Sequence, residues 1–210
     1  MRLFVIGATG HTGTQIIDLA LAKSHEVTAF ARSPEKIARR DPGLELVRGD
    51  PYVVDQLSKA MAGHDAVLSA LGARLPTAFR PHTIVQNCAA STVAAMSAAG
   101  VKRLVLVSAA VLFPIKGLQF AFIRWLLRHI ARDLSAAEEI VRRSRLEWTI
   151  ARPPRLTNGR GERYSAARDA LPNRGRSMPF RAVAAFMLDA VEKRSHVREI
   201  VGLAGQDAAG

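Results

Sequence analysis

Cysteine, tyrosine, tryptophan and acidic residues are all scarce in this chain. A single cysteine among 210 residues, Cys88, excludes an internal disulfide and fits a reducing compartment. Its Ala-rich, helix-like surroundings mark it as a small buried filler rather than a nucleophile. No apolar run approaches the roughly 20 residues of a membrane span, because Pro114, Lys116 and Arg124 interrupt the most hydrophobic stretch. Met1 and Arg2 run straight into "LFVIG" with no secretory pattern before it, so the expected location is the cytoplasm. Eighteen acidic residues against 30 Lys and Arg leave a net charge of +12. The excess is arginine scattered over many elements, without a Lys/Arg tract interleaved with aromatics, so nucleic acid is not an expected partner. The basic residues are densest from Arg124 to Arg181, available to an anionic small molecule or simply to water. No metal site is expected.

What the chain does have is an apolar fraction of 49%, ordinary for a folded protein, and a length that suits one α/β domain over residues 1–210. Strand-like and helix-like patterns alternate, as they do in a parallel sheet wrapped by helices. "RLFVIG", "HEVTAFA", "LELVRGD", "DAVLSALG", "RLVLVSAA", "EWTIARP" and "REIVGLAG" read as strands. Helical patterns lie between them: "TGTQIIDLALAK", "SPEKIARR" with Ser33 capping and Pro34 at its first position, "VVDQLSKAMAG", and a long one stopped by Gly100. An apolar helical stretch at about 117–132, a second helix at about 134–145 and "PFRAVAAFMLDAVEK" complete the set. Between Pro153 and Met178 prolines, glycines and arginines predict an irregular segment, about 152–178, on the substrate side.

The most informative stretch is "FVIGATGHTGTQII", where Gly7, Gly10 and Gly13 recur every third position between a strand and a helix. In such a unit the first glycine permits a tight turn, the second lets the main chain approach a pyrophosphate, and the third lets the helix pack on the strand. The helix start then offers unpaired N–H groups to phosphate.

"GATGHTG", "RGD", "SALG", "GVKRLVLVSA" and "ARPP" together resemble the atypical short-chain dehydrogenase/reductase superfamily over nearly the whole chain. Length and glycine spacing are most similar to its NAD(P)H-binding group, which includes biliverdin-IXβ/flavin reductase and repressor-like redox sensors. The resemblance implies a doubly wound Rossmann fold, a parallel sheet of about seven strands with helices on both faces, and NADP(H) across the carboxyl ends of the strands. Cofactor contacts are expected from Gly7, Thr9, Gly10, His11, Thr12, Gly13, Arg32, Ser33, Asp50, Ser69, Ala70, Leu71, Gly72, Ser108 and Pro153. Asp50 falls where such families meet the adenine, or else caps a turn; residues 69–72 would line the ribose through the main chain.

An NAD site usually carries Asp or Glu at the end of the second strand. "AFARSPEK" instead supplies Arg32 and Ser33, with Lys36 nearby, a set suited to a 2′-phosphate, so NADP(H) is expected over NAD(H). Carbonyl-reducing members of the superfamily use a serine and a Tyr-x-x-x-Lys pair. Ser108 occupies the serine's place, but Phe120 and Arg124 stand where Tyr and Lys would be. A phenyl ring donates no proton, and the chain's tyrosines, Tyr52 and Tyr164, lie in other segments. Hydride transfer to an isolated ketone localises charge that calls for a donor, whereas a flavin, quinone or tetrapyrrole spreads it. Phe120, Phe122 and Trp125 suit a wall for such a flat ligand, or a core or dimer face. Arg124, Arg128 and Arg132 share one side of a helix. The expected activity is therefore NADPH-dependent reduction of a conjugated, anionic or neutral small molecule by a monomer or homodimer, with Ser108 assisting and no base beside it. A non-catalytic NADP(H) sensor and an epimerase-like enzyme are the alternatives.

Overall fold

A computed structural model describes residues 1–72, 81–114, 127–172 and 177–206. Ten strands are described: β1 Arg2–Ile6, β2 Glu26–Ala31, β3 Leu44–Arg48, β4 Ala66–Ser69, β5 Arg103–Val107, β6 Glu147–Arg152, β7 Arg155–Thr157, β8 Tyr164–Arg168, β9 Ser177–Pro179 and β10 Glu199–Gly205. Five helices are described with them: α1 His11–Ala22, α2 Val54–Met61, α3 Ile84–Ala99, α4 Arg128–Arg143 and α5 Phe180–Glu192.

The main sheet has the order β3-β2-β1-β4-β5-β6-β10-β8. Its first seven strands pair in parallel, as the sequence pattern predicts, and β8 adds an antiparallel edge against β10. Central strands are buried on both faces, and side chains alternate between two cores because the strand period is two. Leu3 and Val5 join Ile16, Ile17 and Phe186 beneath α1 and α5. Phe4 and Ile6 join Leu57, Met96 and Val141 beneath α2, α3 and α4. Helices thus cover both faces, which makes the fold doubly wound, and chain order reverses between β1 and β4. Ligands of open α/β sheets gather outside the strand carboxyl ends at such a point.

Two local expectations are corrected. The segment expected to be irregular holds β7, β8 and β9, with β7 and β9 forming a separate two-stranded parallel sheet. The short "YSAAR" gives no apolar alternation, because β8 is an edge strand with one row of neighbours and an exposed side. "SPEKIARR" forms only a 3-10 turn at Pro34–Lys36, and the Ser33 side chain makes no capping hydrogen bond. Gly100 does end α3, in the left-handed conformation at φ 73°. Cys88 is buried in that helix, and burial pushes its thiol up to about 11.

Candidate functional site

The phosphate turn is built by close main-chain approach. Gly7 sits at φ +78°, and a Cβ there would lie 2.8 Å from the Ala70 carbonyl. A Cβ on Gly13 would lie 2.2 Å from the Gly7 oxygen, so α1 seats directly on the turn only because this position is bare. Gly10 donates its N–H to that same oxygen at 2.9 Å and precedes α1, whose start has no side-chain cap and no acidic residue in its first turn. The N-terminal amides of a 12-residue helix are left for a ligand. Thr12 is buried behind the turn. The His11 ring turns away and stacks on Phe180 with centroids 4.9 Å apart, so what His11 offers a phosphate is its main chain.

A cleft of about 450 Å³ opens from this turn, within the range of small-molecule sites. Gly7, Thr9 and Gly10 form its floor, Ala70, Leu71 and Gly72 one side, and Ala31, Arg32, Ser33 and Lys36 the far end. Phe30, Pro51, Tyr52 and Ile84 complete the lining, none of them expected as contacts from sequence. Among the described residues neither Arg32 nor Lys36 forms a close ion pair; Glu35 binds Arg48 at 2.8 Å and feels Lys36 only through its field. Asp50 is engaged in its own turn, its carboxylate accepting the Tyr52 N–H at 3.0 Å while its N–H donates to Gln56. Ser69 is buried at the end of β4 and Pro153 lies beyond β6; neither lines the cleft. Tyr52 is found only through the fold, which brings the end of β3 beside that of β2.

The β5 and β6 ends are built from side chains instead. The Ser108 main-chain N–H donates to the Ala151 oxygen at 2.7 Å, which holds the serine beside β6. Its hydroxyl donates to Glu138 Oε1 at 2.5 Å. Arg152 grips the same carboxylate with two hydrogen bonds, Nε to Oε1 at 2.9 Å and Nη2 to Oε2 at 2.6 Å. The guanidinium also lies 4.7 Å from the Phe113 ring centroid. Ser108 is 7% exposed and Glu138 3%, so this is a buried, paired charge. The expectation of a serine without a base beside it is corrected: a carboxylate is there, carried by α4 from 30 residues away. A second carboxylate of α4, Asp133, accepts the Val85 and Gln86 N–H groups at 2.9 and 2.8 Å, capping α3 in place of a local side chain.

Residues 7–194 match a family model described as NAD(P)H-binding. The chain belongs to this NAD(P)H-binding family. An uncharacterised chloroplastic protein of Arabidopsis thaliana is 30% identical over 75% of this chain and 60% of its own length. YhfK of Bacillus subtilis, described as an uncharacterised sugar epimerase, is 29% identical over 80% of this chain and 79% of its own. The chain spans from 24% to 60% of the length of the first curated relatives that it matches. A Rossmann-fold NAD(P)-binding protein of Shigella flexneri superposes with a TM-score of 0.78 at 26% identity, covering 100% of this chain and 95% of that one. A short-chain dehydrogenase/reductase of Veillonella parvula, solved with NADP, shares the fold at a TM-score of 0.79 and 19% identity, covering 100% of this chain and 96% of that one. Oxidoreductase-like and epimerase-like proteins thus both stand among the relatives of this NAD(P)H-binding chain.

Neither tyrosine of this family member stands with Ser108. Tyr52 lines the cleft at the β2–β3 side. Tyr164, on β8, donates to Asp189 at 2.8 Å and packs edge-on against Phe186. Burial, followed by that carboxylate, raises the Tyr164 phenol well above its ordinary value, so it holds its proton. Phe120, Phe122, Arg124 and Trp125 lie outside the described residues, while Arg128 and Arg132 are exposed on α4. No described helix is long and apolar enough to cross a membrane.

Proposed function

We propose that the protein is an NADPH-dependent reductase of a conjugated acceptor. The observation that carries this reading is the division of labour along the strand ends: a bare-glycine turn and cations free of close ion pairs at one side, and a serine without a neighbouring phenol at the other. The cradle fits a dinucleotide because Gly10 lines the cleft with no Cβ and little protein in the space a Cβ would take, the α1 amides are uncapped, and Arg32, Ser33 and Lys36 line the cleft's far end. Gly7, Thr9 and Gly10 would hold the pyrophosphate, residues 70–72 the ribose side, Tyr52 the adenine face, and Arg32 with Ser33 the 2′-phosphate. Bound there, a reduced nicotinamide supplies hydride. Ser108 orients the acceptor, and Tyr52 and Tyr164 take no part in moving its proton.

Arg32 decides the cofactor. Each charge-assisted hydrogen bond to the 2′-phosphate contributes roughly 1.5–3 kcal/mol. Direct titration should show NADPH binding more tightly than NADH, and Arg32→Ala should remove most of the difference. Equal affinities in the unmodified protein would refute the NADPH assignment. NADPH oxidation against flavins, quinones and conjugated carbonyls tests the reaction, and cofactor binding without turnover of any of them would favour a sensor.

A further inference from the structure

Arg48, the last residue of β3, stands opposite Ala31 in the parallel register, one position before Arg32. From there its guanidinium spans the turn that follows β2. Nη1 donates to the Arg32 carbonyl oxygen at 2.9 Å, and Nη2 donates to Glu35 Oε2 at 2.8 Å. The turn has few ties of its own. The Lys36 N–H donates to the Ser33 oxygen at 3.2 Å, the Ile37 N–H to the Pro34 oxygen at 2.9 Å, and the Ser33 hydroxyl caps nothing. A side chain from the neighbouring strand thus supplies the fastening that the missing cap does not.

Glu35 is the one carboxylate of the segment "RSPEK". Arg32, Ser33 and Lys36 line the cleft, and Glu35 does not. Its own main-chain N–H and then Arg48 outweigh desolvation and hold its carboxyl below the ordinary value, so it carries a full negative charge at neutral pH. Left without a cation, a charge so close along the turn to Ser33 and Arg32 would oppose a phosphate dianion held there and leave an uncharged ribose hydroxyl undisturbed.

We propose that Arg48 is a positioning residue for cofactor choice: by holding Glu35 and tying the Arg32 main chain, it leaves the turn with only cations facing a 2′-phosphate. This rests on the reading that the cleft takes NADPH with that phosphate at Arg32 and Ser33. Arg48 does not itself line the cleft and acts through its two partners. An acid at the end of the second strand selects NAD in other dinucleotide sites; here an acid lies just beyond that end but is bound to a residue of β3. The two side chains are 66% and 57% exposed, so the pair adds little to stability and its consequence is read in selectivity.

The test is calorimetric titration of the full chain with NADPH and with NADH at low salt. The unmodified protein should prefer NADPH. Arg48→Ala should cut that preference about fivefold, the scale of exposed charges acting through water, by weakening NADPH and leaving NADH unchanged. Adding Glu35→Gln to Arg48→Ala removes the charge that was released and should return most of the preference. Arg48→Lys keeps a cation beside Glu35 and should retain it. A preference that survives in Arg48→Ala, an equal loss of affinity for both cofactors, or a double variant or lysine variant no better than Arg48→Ala would each overturn this inference and leave the NADPH reading standing. Equal affinities or tighter NADH binding in the unmodified protein would overturn both.

Discussion

The turn after β1 and the ends of β5 and β6 lie along the same edge of one sheet but are made in opposite ways. At the turn nearly everything is main chain: Gly7 and Gly13 are bare so that backbone can touch backbone, and α1 starts without a side-chain cap. At β5 and β6 the work falls to a buried hydroxyl and carboxylate and a half-buried guanidinium drawn from three elements. Phosphate recognition needs several N–H groups converging on one point, which a helix start supplies by itself. Orienting one side of a flat ligand needs a group whose donor or acceptor character is set by its neighbours, which takes a network.

The contrast is broken most sharply at Glu138. Glu138→Ala leaves the half-buried Arg152 without its carboxylate, and the chain should lose about 3 kcal/mol of stability, read as a lower denaturant midpoint. A loss under about 1 kcal/mol would mean that water reaches the network in solution. At the turn the opposite outcome is expected. Gly10→Val should abolish NADPH binding, since its side chain faces the cleft floor, yet cost less than about 2 kcal/mol in unfolding because a Cβ there meets only the Gly7 oxygen, at 3.2 Å. Normal NADPH affinity in this variant would mean that the phosphate sits elsewhere.

Tyr164→Phe separates the sheet edge from the site. Losing the hydrogen bond to Asp189 should cost about 1 kcal/mol of stability and leave turnover unchanged; a thousandfold slower reaction with cofactor bound would make Tyr164 the missing acid. The last test, visible only at alkaline pH, concerns Cys88. Its thiol is raised to about 11 by burial, so its contribution is fully present below the unfolded value near 9 and is lost as pH rises through 11. Compared with Cys88→Ala, the native chain should lose up to about 2 kcal/mol more between those pH values; parallel pH profiles of the two would contradict a buried neutral thiol.

What the sequence determined by itself is whatever depends on neighbours along the chain. Glycine spacing, strand–helix alternation, the stop at Gly100 and the cation at Arg32 are local properties, and each one lies in the fold where its pattern indicates. Edge strand β8 was hidden because an exposed strand carries no apolar period. The Ser108–Glu138–Arg152 cluster, the Asp133 cap on α3 and the place of Tyr52 were hidden for another reason: their partners stand 14 to 48 residues apart or on adjacent strand ends. Periodicity along one element holds no record of which carboxylate will face which hydroxyl. That was decided when α4 packed against β6 and α3, since only tertiary packing excludes the water that would otherwise satisfy each of these groups separately.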